Sequence, residues 1–432
     1  MRDWKTGACS LLWAFVVASV PAQAAGKTLG DYLESADRQN VDRRLSFEQS
    51  ERAAAEFHAA WLSLLPSLSV GASWTHNQFE AIANFPNPQT GELSRLVIIP
   101  KNQLDAAFRF ELPLLDTTRW MKTGAAASSS ASAEERERMM RDVVKRQVVG
   151  SWYGYAAALA VKKSAQKSVA VAEAQAKLLD IRFAAGAATE LEQMRARAEL
   201  ARNQQVVADV DALVATTRRT LQTVSSLEPP DEVSLPKDDL HPEKPVTEFE
   251  GRLEGLAAVK AASHDADAAG KMAVAANLAL LPIVTGQFTQ RYTNATGFQN
   301  QEAIYAGGVG LVWRLDPAFV SNMSAVYAGA AAARLGAEKA RQQSRDQIHQ
   351  DWNRLEAARQ KAQLVQAQVT AAARASQVAK DRYAVGAATQ LEVIYAERDV
   401  FGAEVAQIQA MTELATARAA LLLSAGLPLN EE

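Results

Sequence analysis

The 432-residue sequence contains one cysteine, Cys9. It stands in an N-terminal segment where Arg2 and Lys5 precede an apolar run from Leu11 to Val20 and the small-residue pattern Ala22-Gln23-Ala24. This is the arrangement of a cleavable secretory leader over residues 1–24. Cleavage there leaves a mature chain without a thiol, which excludes a disulfide framework, a cysteine-ligated metal and an acylated N-terminal cysteine. Stability must come from packing and assembly.

Long apolar runs are also missing. The leader's run is too short to span a bilayer, and nothing after it supplies the ~20 consecutive apolar residues of a membrane helix. A membrane location would therefore require a barrel. Charge of one sign is lacking too: 46 basic and 49 acidic residues, interspersed, give a net charge of -3. That balance offers no electrostatic case for nucleic acid. His58, His76, His241, His264 and His349 are scattered without metal-ligand spacing, and no Gly-x-Ser-x-Gly elbow occurs. Gly26-Lys27-Thr28 looks like the tail of a phosphate loop, but Pro21 holds the place of the required earlier glycine. No catalytic residue, metal or cofactor is expected.

Proline is absent from Ala125 to Ala184, a stretch rich in alanine. Such a run predicts about 90 Å of uninterrupted helix. Tyr155, Lys162, Val169, Ala176 and Phe183 recur every seven residues within it, as do Ala158, Ala165, Ala172 and Leu179. Leu355, Ala362, Val369, Ser376 and Tyr383 repeat the spacing later, with Ala358, Val365, Ala372 and Ala379. Seven-residue spacing means coiled-coil-like seams, and these are thin enough to need neighbouring copies.

The later series reflects a tandem duplication. Arg182-Phe183-Ala184-Ala185-Gly186-Ala187-Ala188-Thr189-Glu190-Leu191-Glu192 reappears as Arg382-Tyr383-Ala384-Val385-Gly386-Ala387-Ala388-Thr389-Gln390-Leu391-Glu392. The same offset of 200 places Trp152 on Trp352 and Asp116 on Asp316. The first unit is read as residues 25–225, the second as 251–432, with a proline-bearing linker at 226–250 between them. Each unit reads helix, strand, strand, long helix, tight turn, helix.

Strands are expected near 67–80 and 102–113, and near 283–294 and 303–315. Leu68, Val70, Ala72 and Trp74 alternate with Ser67, Ser69, Gly71, Ser73 and Thr75. Leu104, Ala106, Phe108, Phe110 and Leu112 alternate likewise with Gln103, Asp105, Ala107, Arg109 and Glu111. The later pair shows the same period less cleanly, with Thr285, Gln287, Thr289, Arg291 and Thr293 opposite Val284, Phe288 and Tyr292. Tyr305, Val309, Leu311 and Trp313 share a face opposite Gly308 and Gly310. Strands of about ten residues suit a membrane barrel, and a half-buried soluble sheet is the plainer alternative. Trp152 and Trp352 read as packing residues. Trp74 and Trp313 suit either a core or an interfacial aromatic girdle.

Gly186 and Gly386 fit the position just past a helix end, and Thr189 with Glu192, like Thr389 with Glu392, has capping-box spacing. Each set predicts an abrupt helix reversal. In both turns, together with Leu65-Pro66, Leu281-Pro282, Leu114-Leu115-Asp116 and Arg314-Leu315-Asp316, the chain resembles the TolC family of outer-membrane efflux proteins.

The resemblance implies a mixed α+β membrane protein. A homotrimer would form one twelve-stranded outer-membrane β-barrel continuing into a long periplasmic α-helical barrel. It implies a passive duct serving a periplasmic adaptor and an inner-membrane pump, in contact with outer-membrane lipid. Gly186, Ala187, Gly386 and Ala387 would meet the adaptor. Glu192 and Glu392, with Tyr383, would form the periplasmic constriction. Ala388 stands where some members have a locking arginine, so a less tightly closed resting entrance is expected, and Tyr395 stands where some have a second pore aspartate, so no doubled acidic ring is expected. A periplasmic adaptor and a structural trimeric coiled coil are the alternatives, although an adaptor would have one hairpin between compact β domains.

Overall fold

Asn40 separates the first two helices, α1 (Leu29–Gln39) and α2 (Val41–Leu62), by accepting the N–H groups of Asp42 and Arg43 at 2.9 and 3.2 Å. This N-cap satisfies donors that a helix start leaves without an intrahelical partner. The computed structural model describes residues 28–86, 91, 93–235, 240–314 and 316–429. The expected leader with Cys9, Gly26 and Lys27, together with Pro236 and Leu315, lies outside the described residues.

Pro66 follows the end of α2, and the chain passes into β1 (Ser67–His76). Between β1 and its partner β4 (Asn102–Leu115), the expected plain loop contains a hairpin, β2 (Ala81–Pro86) with β3 (Leu93–Ile99). The first unit therefore has four strands where two are expected, and β1 ends at His76 rather than at 80. Asp116 then caps α3 (Thr117–Ala184) by accepting the Arg119 N–H at 2.9 Å. Its 68 residues correspond to about 100 Å of helix. After the first turn comes α4 (Glu190–Ser225).

The connection is less irregular than the expected 226–250 linker. Its last five residues form α5 (Val246–Glu250), and Phe249 enters the core. The second unit continues with α6 (Ala257–Leu278), β5 (Ile283–Thr293), β6 (Ala303–Val312), α7 (Ala318–Ala384) and α8 (Gln390–Ser424). Asp316 repeats the role of Asp116 at the strand exit, accepting the Ala318 N–H at 2.9 Å. Among the described residues, no helix is long and apolar enough to cross a membrane.

The main sheet is antiparallel, in the order β1-β4-β5-β6, so β1 and β6 are its edges. Below it the helices form a layer. α3 packs against α2 and α6 along one part of its length and against α4 and α8 along the other, while α7 packs on α6 and then α8. That order leaves α7 at one border and α2 with α4 at the other.

The core has two large clusters at matching heights and a small third one of Ala176, Leu179 and Ala196 between α3 and α4. One large cluster joins Tyr32, Val148, Trp152, Tyr155 and Leu221; the other joins Phe249, Ile348, Leu355, Leu414 and Leu421, with Trp352 against its side. Most heptad positions lie in seams: Ala158, Ala165, Ala172, Leu179, Leu355, Ala358 and Ala362 are buried, whereas Lys162, Val169, Val369, Ala372, Ala379 and Tyr383 are half-buried and Phe183 is 41 % exposed.

Candidate functional site

Two regions are the candidates for function, the sheet and the two hairpin turns. Directly paired residues of antiparallel strands share a face, so the observed register tests the alternation. Leu68 pairs with Phe110, Val70 with Phe108 and Trp74 with Leu104. Phe110 then pairs with Phe288, and Ala106 with Tyr292; Tyr305, Val309 and Leu311 join the same face from β6. The opposite face holds Ser69, Ser73, Arg109, Glu111, Thr285, Gln287 and Thr289. On Asp105, one carboxylate oxygen accepts the Arg291 Nε–H at 2.8 Å.

Among the described residues no element covers the apolar face: Leu68 is 67 % exposed, Val70 64 %, Tyr305 74 % and Val309 70 %. A largely apolar exposed face of this extent, interrupted by Gln290 between Phe108 and Tyr305, marks a surface for lipid or another partner. Trp74 lies near the end of β1 remote from the helices, while Trp313 follows β6 at the helix end and donates its indole N–H to the Leu280 carbonyl at 2.9 Å.

At the far end of each hairpin, Gly186 and Gly386 adopt φ of +69° and +77°. Glycine takes this left-handed conformation without a Cβ clash. The N–H groups of Ala187 and Ala387 each donate to the carbonyl five residues back, Arg182 or Arg382, at 2.8 Å. The reciprocal caps follow at once. Glu192 accepts the Thr189 N–H at 2.8 Å while the Thr189 hydroxyl oxygen accepts the Glu192 N–H at 3.2 Å. Glu392 and Thr389 repeat this at 3.2 and 3.4 Å. The backbone N–H and hydroxyl of Thr189 hold the Glu192 carboxyl below its ordinary pKa.

Gly186, Ala187, Gly386 and Ala387 are exposed, as is Glu392, and Glu192 and Tyr383 are half-buried. The two turns are brought together through Gln390, buried at the start of α8, whose amide donates to the Glu192 carbonyl at 3.1 Å.

Two further ties between the hairpins escape sequence inspection. The Arg182 guanidinium lies 5.6 Å from the centre of the Tyr383 ring. Arg398 grips Glu199 with a two-pronged fork, one prong at 3.0 Å, and Glu199 is otherwise buried. Bidentate guanidinium–carboxylate pairs are geometrically specific, and this one joins α8 to α4. The repeated motif signals only contacts inside a turn; contacts between turns have no fixed spacing to reveal them.

Comparisons with known proteins agree with this geometry. A family model described as outer membrane efflux protein matches residues 253–427. No curated protein matches the chain. Among solved structures, the Campylobacter jejuni CmeC outer membrane channel superposes with a TM-score of 0.79 at 17 % identity, covering 94 % of this chain and 87 % of that one. The Vibrio cholerae outer membrane protein VceC gives 0.77 at 19 % identity, covering 92 % and 96 %. A Pseudomonas aeruginosa membrane protein gives 0.78 at 19 % identity, covering 92 % and 93 %.

Proposed function

We infer that the chain, of which residues 253–427 match a family model described as outer membrane efflux protein, is the outer-membrane duct of a tripartite export system. One observation carries this reading: an uncovered apolar sheet with two open edges stands on two helical hairpins of about 100 Å. Four strands cannot close a membrane barrel, whereas three copies would remove every open edge. The apolar face then meets outer-membrane lipid, and the polar face lines a water-filled passage. The helices extend below it through the periplasm.

Both lateral borders support assembly. Leu335 and Leu364 on α7 are 66 % and 73 % exposed, and Leu45 and Trp61 on α2 are 55 % and 50 % exposed. The exposed turns at Gly186, Ala187, Gly386 and Ala387 form the contact for a periplasmic adaptor, which delivers cargo from an inner-membrane pump. Conduction is passive. Glu192, Glu392 and Tyr383 narrow the periplasmic entrance, and three copies of each glutamate make it cation-selective.

Replacing both glutamates with glutamine keeps their volume and much of the capping while removing the charge. In planar bilayers at low salt, the double variant should lose the parent's cation preference, with the difference shrinking as salt screens the ring. A folded variant with unchanged selectivity would mean that these glutamates only cap helices and that the constriction lies elsewhere. Native mass spectrometry showing a stable monomer would overturn the assembly itself.

A further inference from the structure

Arg146 of α3 crosses to the groove between α7 and α8, where it pairs with Asp351 at 3.4 Å and donates to the Ala420 carbonyl at 3.2 Å. The Asp351 side chain is fully buried and also accepts the Gln347 amide at 3.0 Å. Thus one hairpin plugs the groove of the next within a single chain.

The duplication's offset of 200 carries Asp351 to Ser151 and Ala420 to Thr220. Those two residues line an open groove of about 450 Å³ between α3 and α4, with Gln147, Gly150, Gly154 and Thr217. Apart from the adjoining backbone of α3 itself, nothing lies within 4 Å of where a Cβ on Gly150 or Gly154 would stand. The first half therefore has the socket of the second, without its plug. The counterpart of Arg146 is Asp346, exposed on α7. Because α7 forms the opposite border of the helical layer from α4, it is placed to serve the α3–α4 groove of another copy.

We infer that Asp346 of a second copy enters the Gly150–Gly154 groove as the counterpart of Arg146 at Asp351. The inference rests on the assembly proposed above. Its chemistry is complementary: a carboxylate needs donors, and the groove offers the Ser151, Thr217 and Thr220 hydroxyls and the Gln147 amide. Thr217 and Thr220 donate to carbonyls of their own helix at 2.9 and 3.0 Å, bonds that a rotating hydroxyl can exchange. Glycine at positions 150 and 154 permits the close backbone approach that a side chain as short as aspartate requires. The second half instead has Gln350 and Arg354 there, and uses the longer reach of arginine.

Ser151→Asp tests the contact by placing a carboxylate against the incoming Asp346. Native mass spectrometry of the detergent-extracted protein should show loss of trimer in this variant. Adding Asp346→Arg recreates the Arg146–Asp351 pair and should restore it. As a test independent of stability, Ser151→Cys with Asp346→Cys should give covalent dimers and trimers with a short bismaleimide, while neither single variant does. The only native cysteine, Cys9, lies in the expected leader. A trimeric wild type in which Ser151→Asp is neutral, Asp346→Arg fails to rescue it, or the cysteine pair stays uncross-linked overturns the socket and leaves the assembly standing. A monomeric wild type overturns the assembly and the socket with it.

Discussion

The two halves occupy the same positions with different chemistry. Val148 and Leu221 in the first core answer to Ile348 and Leu421 in the second, at an unchanged offset. The means of fastening the connecting segment differ. In the first half, the Tyr32 and Tyr155 hydroxyls donate to the Glu228 and Pro230 carbonyls at 2.7 and 2.8 Å. Burial, with smaller charge effects, pushes the Tyr32 phenol up to about 12, so it remains a donor at any physiological pH. In the second half, Leu355 replaces Tyr155, and Trp352 takes over the fastening with an indole N–H to the Lys244 carbonyl at 3.0 Å. The duplication keeps these core positions buried in both halves, while elsewhere burial differs, Ser164 being 8 % exposed and its counterpart Leu364 73 %, and each half has diverged in how its polar groups are satisfied.

The equivalence can be broken most sharply in the cores. Leu221→Ala and Leu421→Ala should each destabilise the protein by about 2–5 kcal/mol, because both side chains are almost wholly buried. Thermal unfolding of the two variants should give similar losses. A large loss in one and none in the other would mean that only one cluster holds the fold.

A smaller effect belongs to the turns. Thr189→Ala and Thr389→Ala each remove a cap, worth about 1 kcal/mol, and the cost should appear as faster amide exchange confined to the first turn of α4 or α8. Unchanged exchange in either variant would show that its reciprocal cap does not limit local opening.

The smallest expected effect concerns the cap of the first turn, Glu192. Folding lowers the pKa of Glu192, so its contribution is present above the ordinary carboxylate range and fades as pH falls through the lowered value. Protection of the first α4 amides should decrease on acidification over that window, and Glu192→Gln should flatten the dependence. Identical acid sensitivity in the Gln variant would assign the effect to another group.

Strand and turn positions were legible wherever a local pattern repeated. Alternation marked β1 and β4, and the observed pairing places their apolar residues on one face. The Gly–Thr–Glu spacing marked both turns. The β2–β3 hairpin was not legible: it is short, ends at Pro86 and shows a register shift next to Ala81, so it lacks clean period-two alternation. α5 was hidden in the same way, since five residues after Pro245 are too few to show helical periodicity.

Sequence alone determined the long helices, the duplication and the two faces of the sheet, because each is encoded in residues at short, regular separation. Tertiary structure decided which helices neighbour one another, that Arg398 finds Glu199 and Arg182 finds Tyr383, and that Arg146 fills a groove whose twin stands open. Those partners are far apart in the chain, and a guanidinium has no local preference among carboxylates. Only the packing of one hairpin against the next selects the pair.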